Sequence, residues 1–283
     1  MTRIIACVDG SAATPSVARA GQWLANRYQS SLVFLHALEQ PDVPVWQDAS
    51  GAIGLGAQEG LLSQLVELEA TRAQLALRQG QALLAHLQAE AEAAGVASVA
   101  ALQRHGALLD VLAEQVSDAD VTVLGRCGAS HEVFEGVIGS HIESVIRTTA
   151  QPVLLVAEDF NPPADILLAY DGSDTAEKAL RWIIEAPVMA GTACHIVGVC
   201  NDGALEGSIQ RAERDLTAAG FRTQWAVVAA EEPWRGVVEY QKTHRIDLTV
   251  MGAFGHSRIR QFLLGSQTTQ LLKHSLTPLF LIR

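Results

Sequence analysis

Cysteine is scarce in this chain, with four in 283 residues and no Cys-x-x-Cys pair. That scarcity excludes a disulfide scaffold and points to reduced thiols in a cytoplasmic protein. The nine histidines are scattered, so no structural metal is expected. No apolar run approaches the roughly 18 residues of a membrane helix. Charge interrupts the first apolar run within its opening nine residues, so a signal peptide is not expected either. Cations are outnumbered, 20 Lys and Arg against 31 Asp and Glu, and the net charge of −11 argues against a nucleic-acid partner.

What the chain does have is self-similarity. Asp9-Gly10-Ser11 closes an apolar run, and Asp171-Gly172-Ser173 closes another 162 residues later. Gly125 and Gly128 followed by Gly139-Ser140 are mirrored by Gly252 and Gly255 followed by Gly265-Ser266. Each half finishes on a Pro-led apolar run, Val153–Val156 and Leu279–Ile282. One module has been copied, and the spacing is far above the 20–50 residues of a solenoid repeat. The polar, Pro-bearing stretch 158–164 places the boundary near residue 160, giving domains over 1–160 and 161–283, in keeping with about 100–200 residues per domain.

Apolar runs alternate with helical patterns in both halves. Strands are expected at Ile4–Val8, Leu32–Leu38, Ser98–Gln103, Asp120–Gly125 and Val153–Ala157, then at Ile166–Tyr170, His195–Cys200, Thr223–Val228, Asp247–Gly252 and Leu279–Ile282. Such alternation predicts an α/β fold, an open parallel sheet with helices on both faces, whose ligand crevice lies at the carboxyl ends of the strands. Asp9, Asp171 and the glycine loops fall at such ends. The first half carries 35 extra residues, read as an amphipathic helix from about Gln58 to Ala94 ended by Gly95, packing on its own sheet or offering a partner-binding surface. Residues 48–56 read as a surface loop.

The glycine motifs fit a loop that lets phosphate oxygens approach the backbone, though they match neither GxGxxG nor GxxxxGK[ST]. Bland readings stand beside this one: Asp9 and Asp171, with Ser11 and Ser173, as helix caps; Gly252 and Gly255 as a tight turn; Gly265-Ser266 as a helix start. His36 and His195 read as satisfied strand residues, and Trp182, Trp225 and Trp234 as packing residues. The two halves differ in charge, −10 over residues 1–160 and −1 over 161–283. Between Gly255 and Gly265 lie Arg258 and Arg260 without an acid, whereas between Gly128 and Gly139 lie Glu132 and Glu135 without a Lys or Arg. At about 4 Å and an effective dielectric of about 20, one such contact with an anion is worth around 4 kcal/mol before desolvation and screening. The second half is therefore the better site for a polyanion.

Asp-Gly-Ser after the first strand, Gly-x2-Gly-x9-Gly-Ser after the fourth and the Pro-led last strand together resemble the universal stress protein family, in tandem form, over essentially the whole chain. The resemblance implies two tandem five-stranded parallel sheets of order 3-2-1-4-5, a Rossmann-like adenine-nucleotide fold, related by a pseudo-twofold through antiparallel pairing of the final strands. It implies ATP, with or without Mg²⁺, as ligand of the second half. Carried over, Ala169, Tyr170 and Asp171 lie beside adenine and ribose, Val199 offers backbone to the adenine edge, and Met251 packs on the nucleoside. Gly252, Phe254, Gly255, Arg258, Gly265, Ser266, Gln267 and Thr268 surround ribose and phosphates; Phe254 and Gln267 depart from the residue types usual there. The first-half equivalents are Val8, Asp9, Ala37, Gly125, Gly128, Gly139 and Ser140, where a ten-residue spacing and His141 make a degenerate site.

The leading reading is a cytoplasmic, ATP-binding, stress-associated regulatory protein that self-associates, as a homodimer or otherwise. His256 is the sole candidate base between Gly255 and Gly265, and no partner orients it, so slow ATP hydrolysis is the most that is expected. An ATP pyrophosphatase or ligase would want Ser-Gly-Gly-x-Asp-Ser after the first strand, which neither copy has. The rival is a nucleotide-independent module binding an unidentified protein partner.

Overall fold

A computed structural model describes residues 3–39, 55–115, 119–126, 140–157, 159–200, 204–253 and 266–283, with side chains except at 55–63, 140, 141, 266 and 267. All ten expected strands form. They are β1 (Arg3–Cys7), β2 (Ser31–Leu38), β3 (Val99–His105), β4 (Val121–Gly125) and β5 (Val153–Val156) in the first half. In the second they are β6 (Asp165–Ala169), β7 (Ala193–Val199), β8 (Arg222–Val228), β9 (Leu248–Gly252) and β10 (Leu279–Ile282). Most central strands are buried on both faces, which is why they read as continuous apolar runs rather than alternating ones. The helices are α1 (Thr14–Tyr28), α2 (Leu55–Ala93), α3 (Leu108–Gln115), α4 (Ser140–Thr148), α5 (Asp174–Glu185), α6 (Glu206–Ala218), α7 (Pro233–His244) and α8 (Ser266–His274).

Within each half the strands are parallel, in the order 3-2-1-4-5. The two sheets do not remain separate. Strand β10 pairs antiparallel with β5, Phe280 opposite Leu154, so both halves share one sheet of ten strands in the order β3-β2-β1-β4-β5-β10-β9-β6-β7-β8. This is the pseudo-twofold pairing expected of the final strands, and it removes two unpaired edges at once. Helices α1, α2, α5 and α6 pack on one face and α3, α4, α7 and α8 on the other, giving one apolar cluster on each side of the sheet.

Side chains stitch the halves together beside the strand pair. The guanidinium of Arg126 donates to the Ser275 carbonyl, and that of Arg283 to the carbonyls of Arg147 (2.7 Å) and Thr149 (3.1 Å). Arg27 reaches the Ala190 carbonyl at 3.1 Å.

The long helix is only half of what its pattern suggested. From Leu84 to Ala91 it buries Leu84, Leu87 and Ala91 against the first-half sheet, and Gly95, at φ +83°, ends it. Its earlier part leaves Leu65, Val66, Leu68 and Leu75 exposed, so the packing reading holds for the carboxyl-terminal half alone. The helix starts at Leu55, inside the segment read as loop; residues 48–54 lie outside the described residues.

The strand histidines are satisfied core groups, as their positions suggested. His195 is buried, with Nδ1 3.1 Å from the Tyr240 hydroxyl and Nε2 3.7 Å from Asp165. His36 contacts Gln103 at 3.3 Å. Burial lowers both imidazole pKa values; at His195, His244 adds to the lowering and Asp165 opposes it. Their folded pKa values thus lie below an unfolded value of about 6.5. The unfolded chain binds more protons in that window, so stability present above pH 6.5 is lost as pH falls through the folded values. The melting temperature is expected to be level from pH 7 to 8 and to decline below 6.5, with the decline shallower in His195→Gln. A decline of equal slope in that variant would exclude His195 as its source.

Candidate functional site

The crevice follows from strand order. In the second half β6 lies between β9 and β7, with Ala169 opposite Met251 on one side and Val197 on the other. Helices α5 and α8, which follow β6 and β9, pack on opposite faces of the sheet, the arrangement of a switch point whose ligand gap lies at the strands' carboxyl ends. Ala169, Tyr170, Asp171, Val199, Met251 and Gly252 all stand there, as the sequence reading required. Ala169 and Val199 are half-buried and Met251 is buried; all three belong to one face of the sheet, where they form an apolar shelf. Tyr170 is different. Its ring is buried in the opposite cluster, beneath α5 and α6, and its hydroxyl donates to Glu177. Burial and the Glu177 carboxylate push its pKa up to about 12. Only its backbone faces the crevice rim, with N–H donating to the Val197 carbonyl at 2.9 Å.

Asp-Gly-Ser folds the same way in both copies. Asp171 Oδ1 accepts from the Ser173 N–H at 3.0 Å, and Asp9 Oδ1 from the Ser11 N–H at 3.0 Å. The intervening glycines take φ +80° (Gly10) and +74° (Gly172), a region costly for any residue with a Cβ. The aspartates therefore shape the turn and do not cap the helix. Capping falls to Ser173, whose Oγ accepts from Ala176 N–H at 3.2 Å; the N-cap of α1 is Ala13, which offers no side-chain cap. The Asp171 carboxylate remains exposed at the mouth of the crevice.

Gly252 is needed for packing. A Cβ there would stand 2.6 Å from the Thr175 carbonyl carbon, so the glycine lets the end of β9 touch the start of α5. Close approach of backbones is thus a reason of its own for glycine at 252, and the turn read from Gly252 to Gly255 lies outside the described residues beyond Ala253. Helices α4 and α8 begin at Ser140 and Ser266, the serines of the two Gly-Ser pairs, so the helix-start reading holds in both copies. Thr268, in the first turn of α8, is buried. Phe254, Gly255, Arg258 and Gly265 lie outside the described residues, as do the side chains of Ser266 and Gln267. In the first half Val8 is buried, Ala37 and Gly125 are half-buried, and Gly128 and Gly139 lie outside the description.

The universal stress protein family matches this sequence twice, over residues 1–157 and again over 164–283. The chain belongs to that family. A universal stress protein of Synechocystis sp. is 33% identical over 290 residues, covering all of both chains. Among solved structures, a universal stress protein from Archaeoglobus fulgidus is similar in fold, with a TM-score of 0.69 at 17% identity over 99% of this chain and 98% of that one. A putative universal stress protein from Pseudomonas aeruginosa has a TM-score of 0.65 at 15% identity, over 100% of this chain and 93% of that one. The tandem universal stress protein architecture therefore spans the whole chain.

Several residues around this crevice escaped the sequence reading. Leu205 covers Gly172, its Cδ2 3.5 Å from where a Cβ would sit, and Leu83 of α2 lies over Gly10 at 3.9 Å. Arg211 approaches Glu177 at 3.9 Å and so joins the Tyr170 pair. Tyr170 and Glu177 are seven residues apart across a turn, a spacing that carries no signal of its own. Among the described residues no three His, Cys, Asp or Glu are grouped to hold a metal, and no helix is long and apolar enough to cross a membrane.

Proposed function

We propose that this universal stress protein binds an adenine nucleotide, ATP with or without Mg²⁺, in the crevice of its second half, and acts as a regulator through occupancy of that site. The supporting observation is the half-buried shelf of Ala169, Val199 and Met251 at the switch point. Its apolar side chains suit a flat heteroaromatic base, with Asp171 exposed beside it for ribose hydroxyls. Helix α8 starts at Ser266, and the unpaired N–H groups of a helix start favour phosphate oxygens. Arg258 and Arg260 supply cations in the sequence between Gly255 and Gly265. The domain reading, 1–160 and 161–283, belongs to the same proposal, with the first copy degenerate. Cytoplasmic location and self-association follow the family reading.

Calorimetry with MgATP tests it. One site per chain is expected, weakened at least tenfold by Asp171→Ala and by Gly265→Val and unaffected by Gly139→Val, with melting temperatures verifying that the variants fold. Two sites would overturn the degenerate first copy. No heat at any concentration would overturn the nucleotide reading. It would shift function to the partner-binding alternative, which the exposed Leu65, Leu68 and Leu75 of α2 favour.

A further inference from the structure

The internal symmetry of the chain shows what fills a particular groove in the first half and where the matching groove lies in the second. In the first half the linker returns across α1. Phe160 is 1% exposed there, with its ring 5.5 Å from that of Trp23. Its carbonyl accepts from Arg19 Nε at 3.2 Å, and the same guanidinium donates to Ser16 Oγ at 3.0 Å. Thus an aromatic side chain, preceded by the exposed Asp159, occupies the cleft between α1 and β5.

The equivalent cleft of the second half lies between α5 and β10. It forms a groove of about 310 Å³ on the lower edge of ordinary small-ligand pockets. Arg181 stands 162 residues after Arg19, at the corresponding turn of α5, and lines this groove with Lys178 and Arg283. Trp182, its ring 4.3 Å from that of Phe280, supplies the aromatic wall, and Pro152 and Ile282 the apolar floor. Arg181 Nε, the atom matching the one that holds the Phe160 carbonyl, makes a long 3.4 Å bond to Glu177 O of its own helix. Among the side chains that line it, Lys178, Arg181 and Arg283 outnumber the acid Glu185, which makes the rim more positive than a chain of net charge −11 as a whole.

We propose that this groove is a docking site for an extended acidic segment of a partner protein carrying an aromatic residue directly after an Asp or Glu, the pattern that Asp159-Phe160 presents to the first half. The ring enters against Trp182, the carbonyl after it takes the Arg181 guanidinium, and the preceding carboxylate faces Lys178. Burial of the ring gives most of the affinity and the cations give orientation and on-rate.

The test uses the full chain and a fluorescein-labelled peptide reproducing residues 157–163, followed by anisotropy and hydrogen exchange. Saturable binding is expected, with protection confined to α5 and β10. It should weaken at least tenfold when the peptide phenylalanine is alanine, and likewise in Arg181→Glu, an exposed substitution that leaves the melting temperature unchanged. No binding up to millimolar peptide overturns the proposal. So does binding indifferent to the phenylalanine, which would be charge attraction alone. Exposure of residues 159–164 and α1 would mean that the peptide displaces its own counterpart in the first half, and a peptide that dissociates self-associated chains would make a second copy the occupant; either overturns it.

Discussion

Gly252→Val is expected to destabilise the second half by at least about 3 kcal/mol, at or beyond the upper end of ordinary overpacking. The first added carbon would lie 2.6 Å from the Thr175 carbonyl carbon, 2.7 Å from its Cβ and 2.8 Å from its oxygen. Backbone cannot rotate away as a side-chain tip can. Relief requires α5 to move off β9, yet α5 also carries Ala176, Ala179, Leu180 and Ile183 into the core. Thermal unfolding should show a fall of roughly 6–12 °C. A midpoint within 2 °C of the parent would mean that the helix start yields, and that Gly252 serves the ligand instead. Loss of ATP binding in this variant therefore says nothing about contacts with nucleotide, which is why Asp171→Ala and Gly265→Val are the informative substitutions.

That distinction marks how far the sequence could be read. The central strands were legible because parallel strands buried on both faces must be apolar throughout, as Ile4–Val8 and Leu279–Ile282 are; the exposed edge strands β3 and β8 were legible from their place in the alternation with helices. The pairing of β5 with β10 was legible once duplication put a Pro-led strand at the end of each half. Asp171 at the crevice mouth followed from the same duplication. What the sequence concealed lies in contacts between distant segments. Nothing local to Gly252 announces Thr175, and nothing local to Tyr170 says that its ring turns to the α5 face instead of the crevice. The long helix failed in another way: leucines repeat along it from Leu61 to Leu87, but burial begins only near Gly80, where the helix crosses β2 and β3. Periodicity reports a face, not what covers it.

The sheet that runs through both halves carries the second large prediction. Phe280 is fully buried, pairs with Leu154 across the junction and packs its ring on Trp182. Phe280→Ala removes a ring that no neighbour can replace, and such truncations cost about 3–5 kcal/mol. At roughly 2–4 °C per kcal/mol for a chain approaching this size, the midpoint should fall by roughly 6–20 °C. The form of the transition is as informative as its midpoint. Because β5 and β10 share a ladder, and Arg126, Arg283 and Arg27 reach carbonyls of the opposite half, neither half retains a satisfied edge without the other. Far-ultraviolet circular dichroism and tryptophan fluorescence, which reports Trp23 and Trp46 in the first half as well as Trp182, Trp225 and Trp234 in the second, should give one coincident transition in both parent and variant. Two transitions in Phe280→Ala, with the signal of the first half persisting above the loss of the second, would show that the halves fold separately and that the junction is only a docking contact. A single transition at the lowered temperature would establish that the duplicated module became one cooperative unit by closing its last strand against its own copy.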